Sequence, residues 1–332
     1  MAERGATSAV ATLRRRALHA ISHLFSPLRP DDYLYMSPVR IAVVVLLAFT
    51  GLAGVSGTPP GAAAPLSTCG SSTLSPTDRD RIASLSDRRN DPPAAPLVQL
   101  RDHVADLQAI TDLLTKHRDR RGLFALGLAA VERDAVMPLQ NRPEVFNDPQ
   151  WAPVISLRLL DRFLDALHAE FTGAPAPPQW RYYFDLAADC HVPGERVALA
   201  GYNSHITVDL AYATADAHTT LAQARDFFLI VDTIAAHAES IITSTDNAYG
   251  VDLGPTFRFY AFGEGLDRVV GAGRATGPML RAGDVGYNVI TFNNGLALQD
   301  PTRTAATRTA ITELWSTGNS ALIAAEDTGL IS

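Results

Sequence analysis

The sequence lacks the motifs that identify several common enzyme classes. It has no Walker A loop, no HExxH pair, no GxSxG turn and no GxGxxG after a strand-like segment. These absences argue against a P-loop nucleotidase, a zincin-type protease, an α/β-hydrolase and a dinucleotide-binding fold. Any function must therefore depend on a less familiar arrangement of residues.

Lysine is also scarce. Lys116 is the single lysine, so nearly all of the 28 basic residues are arginines, and the 332 residues carry a formal net charge of −7. Residues 64–332 hold 22 basic and 32 acidic side chains, a net charge of −10. A surface of this sign repels phosphate backbones, and the basic residues form no stripe that would overcome the repulsion. We therefore expect no nucleic acid among the partners.

The chain contains only two cysteines, Cys69 and Cys190. In an oxidising compartment, the simplest expectation is one disulfide that ties the N-terminal arm to the domain. Two unpaired thiols are the alternative. A metal site built on these cysteines is disfavoured, because they are far apart in sequence and lack CxxC spacing.

Residues 1–63 are predicted to form a leader with an uncharged apolar core at 41–57. A basic flank, an apolar core and small residues after it are typical of a secretory signal, here cleaved after Ala63. Met36 begins a more compact leader and is a candidate for the true start. An uncleaved anchor is the alternative, because 41–57 is close to the lower limit of about 17 residues for a membrane span. Either way, the rest of the chain is predicted to be secreted or extracytoplasmic, contacting a membrane only through 41–57.

The remainder divides into a tether and one domain. Residues 64–96 are rich in Ser, Thr, Pro and Asp, and predict a flexible tether with at most one short helix, Pro76–Leu85. From Leu97, apolar residues recur at steps of three and four, the helical period. We therefore predict a single helical domain over 97–332, of the all-α class and folded as a compact multi-helix bundle.

Helical spacing and loop punctuation divide this domain into segments. Tyr287–Leu298 is rich in strand-favouring residues, so it is either a hairpin or another buried helix. Besides the helix that begins near Leu97, the predicted helices are Leu123–Met137, Pro153–Phe171, Gln179–Cys190, Gly194–Ala215, Thr220–Thr243, Phe257–Val270 and Thr302–Glu326.

The candidate site lies in the segment Leu199–Leu210. On a helix, His205 and Asp209 are one turn apart on the same face, so that they can bond each other or converge on one ligand. They could bind a divalent metal with ligands from other helices, or act as a base oriented by its carboxylate. Asn203 would orient the substrate or the backbone. Further ligands, chosen by residue type alone, would be His168, Glu170, Asp185, Asp189, Asp216, His218, Asp232 and His237.

The same segment resembles a known family. Gly201–Leu210 is similar to the G-x-N-x-H-I-x-x-D-L signature of an uncharacterised, all-helical bacterial domain family of unknown function, common in high-GC Gram-positive bacteria. The resemblance extends upstream to Gly122 and fades after about Ile241. It implies that Asn203, His205 and Asp209 form a characteristic polar centre, without assigning a reaction. Leu157 occupies a position where the resemblance implies an acid, which counts against a metal.

Two functions remain open at this point. The first is an exported helical protein with a metal-assisted or hydrolase-like site at His205, Asp209 and Asn203, the metal ligands being His205 and Asp209. The second is a non-catalytic cell-envelope or binding protein in which the same three residues are structural. The substrate and the small-molecule or envelope partner are not indicated by the sequence.

Overall fold

The computed structural model describes residues 66–89, 91–254, 276–329 and 331. They form helices and turns without any strand among them, which confirms the all-α class. The predicted leader and the predicted helix Phe257–Val270 lie outside the described residues. The helices are α1 (Pro76–Leu85), α2 (Pro96–Lys116), α3 (Gly122–Val131), α4 (Ala152–Thr172), α5 (Pro178–Ala188), α6 (Gly194–Ser204), α7 (Leu210–Asp216), α8 (Ala224–Ala236), α9 (Ala238–Tyr249), α10 (Thr276–Leu298) and α11 (Thr304–Asp327).

Two helical runs contain a π-helical segment. Glu132–Val136 connects α3 to a last α-turn at Met137–Gln140, and His205–Asp209 connects α6 to α7. The predicted helices Leu123–Met137 and Gly194–Ala215 therefore exist as continuous helical runs, each with a widened turn inside. Such turns are rare and are often found at functional sites.

Other predicted helices agree with the structure except in two places. The predicted helix Thr220–Thr243 is broken at His237, where the two parts meet at an angle of 43°. Tyr287–Leu298 is the end of α10, so the helical alternative is confirmed and the hairpin is wrong. Its Thr291 and Phe292 are buried against the rest of the protein. Tertiary packing outweighs the local preference of these residues for strands.

The core lies between α2, α3, α4, α5 and α6. Phe124, Phe163, Trp180 and Tyr183 are at most 1% exposed and contact one another, with ring centroids 4.7–6.4 Å apart. Edge-on and tilted ring contacts of this kind stabilise an aromatic core beyond the burial of its area. A second apolar cluster, which includes Phe227 and Phe292, packs where α8 meets α10. The signature segment therefore lies against a rigid aromatic centre.

The N-terminal arm differs from the predicted flexible tether. Leu74 and Ile82 are fully buried, and α1 packs on α2 and α4. Ser75 caps α1 by accepting the N–H of Asp78 at 3.0 Å. A disulfide joins Cys69 to Cys190 with 4.9 Å between their Cα atoms, which confirms the predicted pairing. The prediction missed this packing because composition alone does not reveal that Leu74, Ile82 and Leu85 are buried among many polar residues.

No individual helix in the described ranges has both the length and the apolar character needed to cross a membrane. Leu221–Ala236 and Ala238–Tyr249 meet that criterion only when taken together as a bent pair.

Candidate functional site

The signature helix, defined here as residues 194–216, carries the predicted pair at the two ends of its π-helical segment. α6 ends at Ser204, His205 begins the segment, Asp209 ends it and α7 starts at Leu210. His205 and Asp209 are 7% and 1% exposed. The structure therefore places both predicted residues in the interior and on the same side of the helix.

The two side chains are close without being hydrogen-bonded. Nδ1 of His205 lies 3.8 Å from Oδ2 of Asp209. Hydrogen bonds between nitrogen and oxygen in proteins span about 2.7–3.2 Å, so the contact is electrostatic only. Among the described residues, the buried Nδ1 atom has no hydrogen-bond partner. The His205 ring instead packs on Phe124, with centroids 5.1 Å apart.

Asp209 is bound by the first turn of α5. Nε2 of Gln179 donates to Oδ1 at 3.0 Å, and Nε1 of Trp180 donates to Oδ2 at 2.8 Å. Both carboxylate oxygens are thus engaged, and the carboxylate fixes α5 against the signature helix.

Asn203 points to a different neighbour. Its Nδ2 donates to the backbone oxygen of Trp315 at 2.9 Å and to Oδ1 of Asn319 at 3.1 Å. One residue later, Ser204 accepts a hydrogen bond from Nε1 of Trp315 at 3.2 Å. A Cβ at Gly318 would lie 2.5 Å from Oδ1 of Asn203, so α11 approaches closely only because this position is glycine. Asn203 is therefore separated from the His/Asp pair and fixes α11.

The pair does not present the geometry of a metal site. The N–H groups of Gln179 and Trp180 point at both oxygens of Asp209, and a cation bound there would face those polarised hydrogens. Within the described ranges, no group of three or more His, Cys, Asp or Glu side chains could hold a metal ion. The divalent metal stays a prediction that the donors on Asp209 disfavour.

Several of the further ligands chosen by type are engaged elsewhere. Nδ1 of His168 bonds the backbone oxygen of Ala83, and Nδ1 of His237 bonds that of Thr233, both at 2.8 Å. Glu170 forms ion pairs with Arg121 and Arg181, and Asp216 forms one with Arg162. These four side chains serve helix packing and surface pairing instead of completing a shell around His205.

A cleft of about 400 Å³ opens beside the signature helix. Its walls come from α4, the start of α5, the signature helix and α11. Asp209 lines it, whereas His205 does not. The polar and aromatic residues that line it are Arg162, Asp165, Gln179, Asp209, Tyr212, Thr312 and Trp315.

Sequence reasoning missed most of this cleft. Tyr212 follows Asp209 by three residues, so the helical period could have placed it on the same face, and Trp180, which bonds Asp209, begins an aromatic stretch in the sequence. Gln179 and Trp315 gave no signal, because each meets the signature helix only through tertiary packing.

A second buried acid was also missed. Glu132 is 5% exposed and begins the other π-helical segment, and its Oε2 has no hydrogen-bond partner in the part of the chain that the structure describes. Burial raises the pKa of its carboxyl from 4.5 to about 8.

A comparison of the sequence with models of known families assigns the chain to one of them. Residues 100–271 match the profile of a family of unknown function, DUF5995, and the chain belongs to this family. The match begins in α2 and includes the whole signature helix, which confirms the predicted membership of an uncharacterised domain family. No curated protein matches the chain, and no solved structure does.

Proposed function

We propose that this protein is an extracytoplasmic binding protein whose cleft receives a small ligand and whose signature residues hold the walls of that cleft. The observation that carries the proposal is that the polar residues of the signature bond the helices that form the cleft. Asp209 fixes the start of α5 through Gln179 and Trp180. Asn203 fixes α11 at Trp315. Ligand pockets of a few hundred Å³ between packed helices are a common form of small-molecule site.

The disulfide supports the extracytoplasmic part of the proposal. Cys69 and Cys190 are joined, and structural disulfides persist mainly outside the reducing cytosol. The basic, apolar and small-residue order of the leader supports it independently. A fusion of residues 1–65 to a reporter that is active only outside the cytoplasm would give signal if the leader directs export. Loss of signal would contradict this part.

The binding part is tested by blocking the cleft. Thr312 lines the cleft and is exposed on α11, so Thr312→Trp fills the space without entering the core. Thr309→Trp, also exposed on α11 but outside the lining, is the matched control. Calorimetry would use glucose, N-acetylglucosamine, acetate, glycine, choline and putrescine as probes. We expect at least one probe to bind saturably to the wild type and the control and not to Thr312→Trp. Binding that Thr312→Trp leaves unchanged, or no binding by any probe, would overturn the proposal.

If Asp209 fixes the start of α5 against the signature helix, Asp209→Asn should lower the stability of the protein. The new amide nitrogen would face one of the two N–H donors, Gln179 or Trp180, and leave it unpaired. Hydrogen bonds to a charged group are worth about 1.5–3 kcal/mol each. Urea denaturation should show a loss on the order of 2 kcal/mol in the free energy of unfolding. A loss below about 0.5 kcal/mol, the usual range for exposed positions, would contradict the role.

A hydrolase-like activity is the second candidate, favoured by the buried, unpartnered Nδ1 of His205 at 3.8 Å from Asp209. A histidine with a free ring nitrogen and a nearby carboxylate can act as a general base. His205→Gln separates the two candidates. If it abolishes hydrolysis of p-nitrophenyl acetate while the melting temperature stays the same, catalysis is supported. If the wild type and the variant hydrolyse the ester equally, His205 has no catalytic role.

A further inference from the structure

Within the described ranges, two carboxylates that line the cleft have no arginine or lysine within 4 Å. Nδ1 of His205 lies 3.8 Å from Asp209, and the two hydrogen-bond donors on Asp209 are uncharged. Asp165 lines the cleft from α4 and forms no ion pair with any residue in the described ranges. Arg162, the cation in the lining, is already paired with Asp216. The cleft therefore has an excess of negative charge.

The environment of Asp165 is consistent with this excess. Although solvent reaches its side chain, desolvation by the surrounding helices and the like charge of Asp161 raise the pKa of Asp165 above its ordinary value. Arg88, His168 and Arg162 act in the opposite direction without reversing the shift. An additional positive charge in the cleft would favour the ionised form of this carboxyl.

Two aromatic rings complete the lining. Tyr212 already forms a cation–π contact with Arg162, whose Cζ lies 5.0 Å from the centre of its ring. Trp315 is held in place through its own Nε1, which donates to Ser204, and by an edge-on contact with Tyr182 at 5.7 Å. Aromatic faces attract cations, and indole does so most strongly. A fixed indole in the same lining as two carboxylates without an arginine or lysine partner among the described residues is a favourable site for a ligand with a positive charge.

We infer that the cleft takes a small organic cation, with an ammonium group held between Trp315 and the carboxylate of Asp165. Asp209, whose two oxygens stay hydrogen-bonded to Gln179 and Trp180, attracts the cation through its charge without direct contact. This inference rests on the proposed function and names its ligand class. Buried Asp209 supplies a charge that bulk solvent screens little. Trp315 supplies an apolar surface that also accepts a methylated ammonium. A neutral molecule of the same shape gains only the apolar contact, and an anion is repelled.

The test compares choline with 3,3-dimethylbutan-1-ol, which replaces the quaternary nitrogen by carbon and is therefore uncharged. Calorimetry with the purified full chain should show saturable binding of choline and at least tenfold weaker binding of the alcohol. Added salt should weaken choline binding, because the contribution of the exposed Asp165 is screened.

Two variants test whether Asp165 and Trp315 contribute to the binding of the cation. Asp165→Asn should weaken choline binding about two- to fivefold, as expected for a partly exposed charge pair. Trp315→Leu should weaken it about three- to thirtyfold, the range of cation–π contacts. Asp112→Asn, an exposed change on α2, is the control and should leave the affinity unchanged. Circular dichroism on each variant checks that the fold is retained.

The outcomes distinguish a wrong ligand class from a cleft that binds no ligand. Equal binding of choline and the alcohol, or unchanged affinity in Asp165→Asn and Trp315→Leu, overturns the organic cation. Failure of choline to bind overturns it as well. If glucose or acetate then binds and Thr312→Trp prevents it, the proposed binding function stands with a different ligand. If no probe binds, both proposals fail.

Discussion

Glu132 provides the sharpest quantitative test of the structure. The residue is 5% exposed and lies at the start of a π-helical segment, and its Oε2 has no hydrogen-bond partner within the described ranges. Burial alone raises its pKa from 4.5 to about 8, without any charged group contributing. Glu132→Gln replaces the protonated acid by a neutral amide of the same shape, so the variant removes the titration and keeps the volume.

The direction of the pH dependence follows from the pKa of Glu132, which is 4.5 in the unfolded chain and about 8 in the folded protein. Below pH 4.5 the carboxyl is protonated in the folded and unfolded chain, and it contributes no pH dependence. Between pH 4.5 and about 8 only the unfolded chain releases the proton, so the free energy of unfolding falls by about 1.4 kcal/mol per pH unit. The stabilisation present in acid is lost once the pH passes about 8. The full difference is on the order of 5 kcal/mol.

Urea denaturation followed by circular dichroism at pH 5, 6, 7 and 8 measures this effect. The quantity of interest is the stability of Glu132→Gln minus that of the wild type, because other titrating groups cancel in it. We expect this difference to rise by about 4 kcal/mol from pH 5 to pH 8. Glu144→Gln removes an exposed carboxylate and should give no such rise. A pH-independent difference for Glu132→Gln would refute the assignment of a buried, unpaired acid.

Two further predictions concern packing and the crosslink. Gly201→Ala should destabilise the fold by about 1–3 kcal/mol, because the new Cβ would lie 2.6 Å from Cβ of Phe124. A Cβ at Gly286 in helix α10 would meet no described atom within 4 Å, so Gly286→Ala should be neutral or slightly stabilising, and equal effects of the two changes in thermal denaturation would contradict the packing. The double change Cys69→Ser and Cys190→Ser opens a crosslink across 121 residues and should cost about 2–4 kcal/mol. A melting temperature equal to that of the wild type, with the thiols of the latter shown to be oxidised, would contradict a structural disulfide.

The helices were predictable because their determinants are local. In α2 the buried residues recur with the helical period, so the sequence alone reveals one apolar face. These residues are Leu100, Leu107, Ile110 and Leu114. The all-α class and the helical nature of the signature segment follow from the same spacing. The disulfide was predictable for a different reason, because the chain contains only two cysteines. The nearness of His205 and Asp209 was also predictable, since one helical turn separates them.

The environment of those residues depended on contacts distant in sequence. Gln179 and Trp180 bond Asp209 across about 30 positions, and Trp315 meets Asn203 across 112. No local pattern specifies such partners, because which side chains meet is decided by how the helices pack. The same reason explains why Glu132, one acid among many in the sequence, proved to be the buried and unpaired one.

The sequence by itself determined which segments are helical and which polar residues share a helix face, because both depend on spacing within a few residues. The tertiary structure alone decided the burial of the N-terminal arm, the separation of Asn203 from the His/Asp pair, and the cleft beside Asp209. Those features arise where helices from distant parts of the chain come into contact, and the free energy of burying one surface against another exists only once the chain has folded.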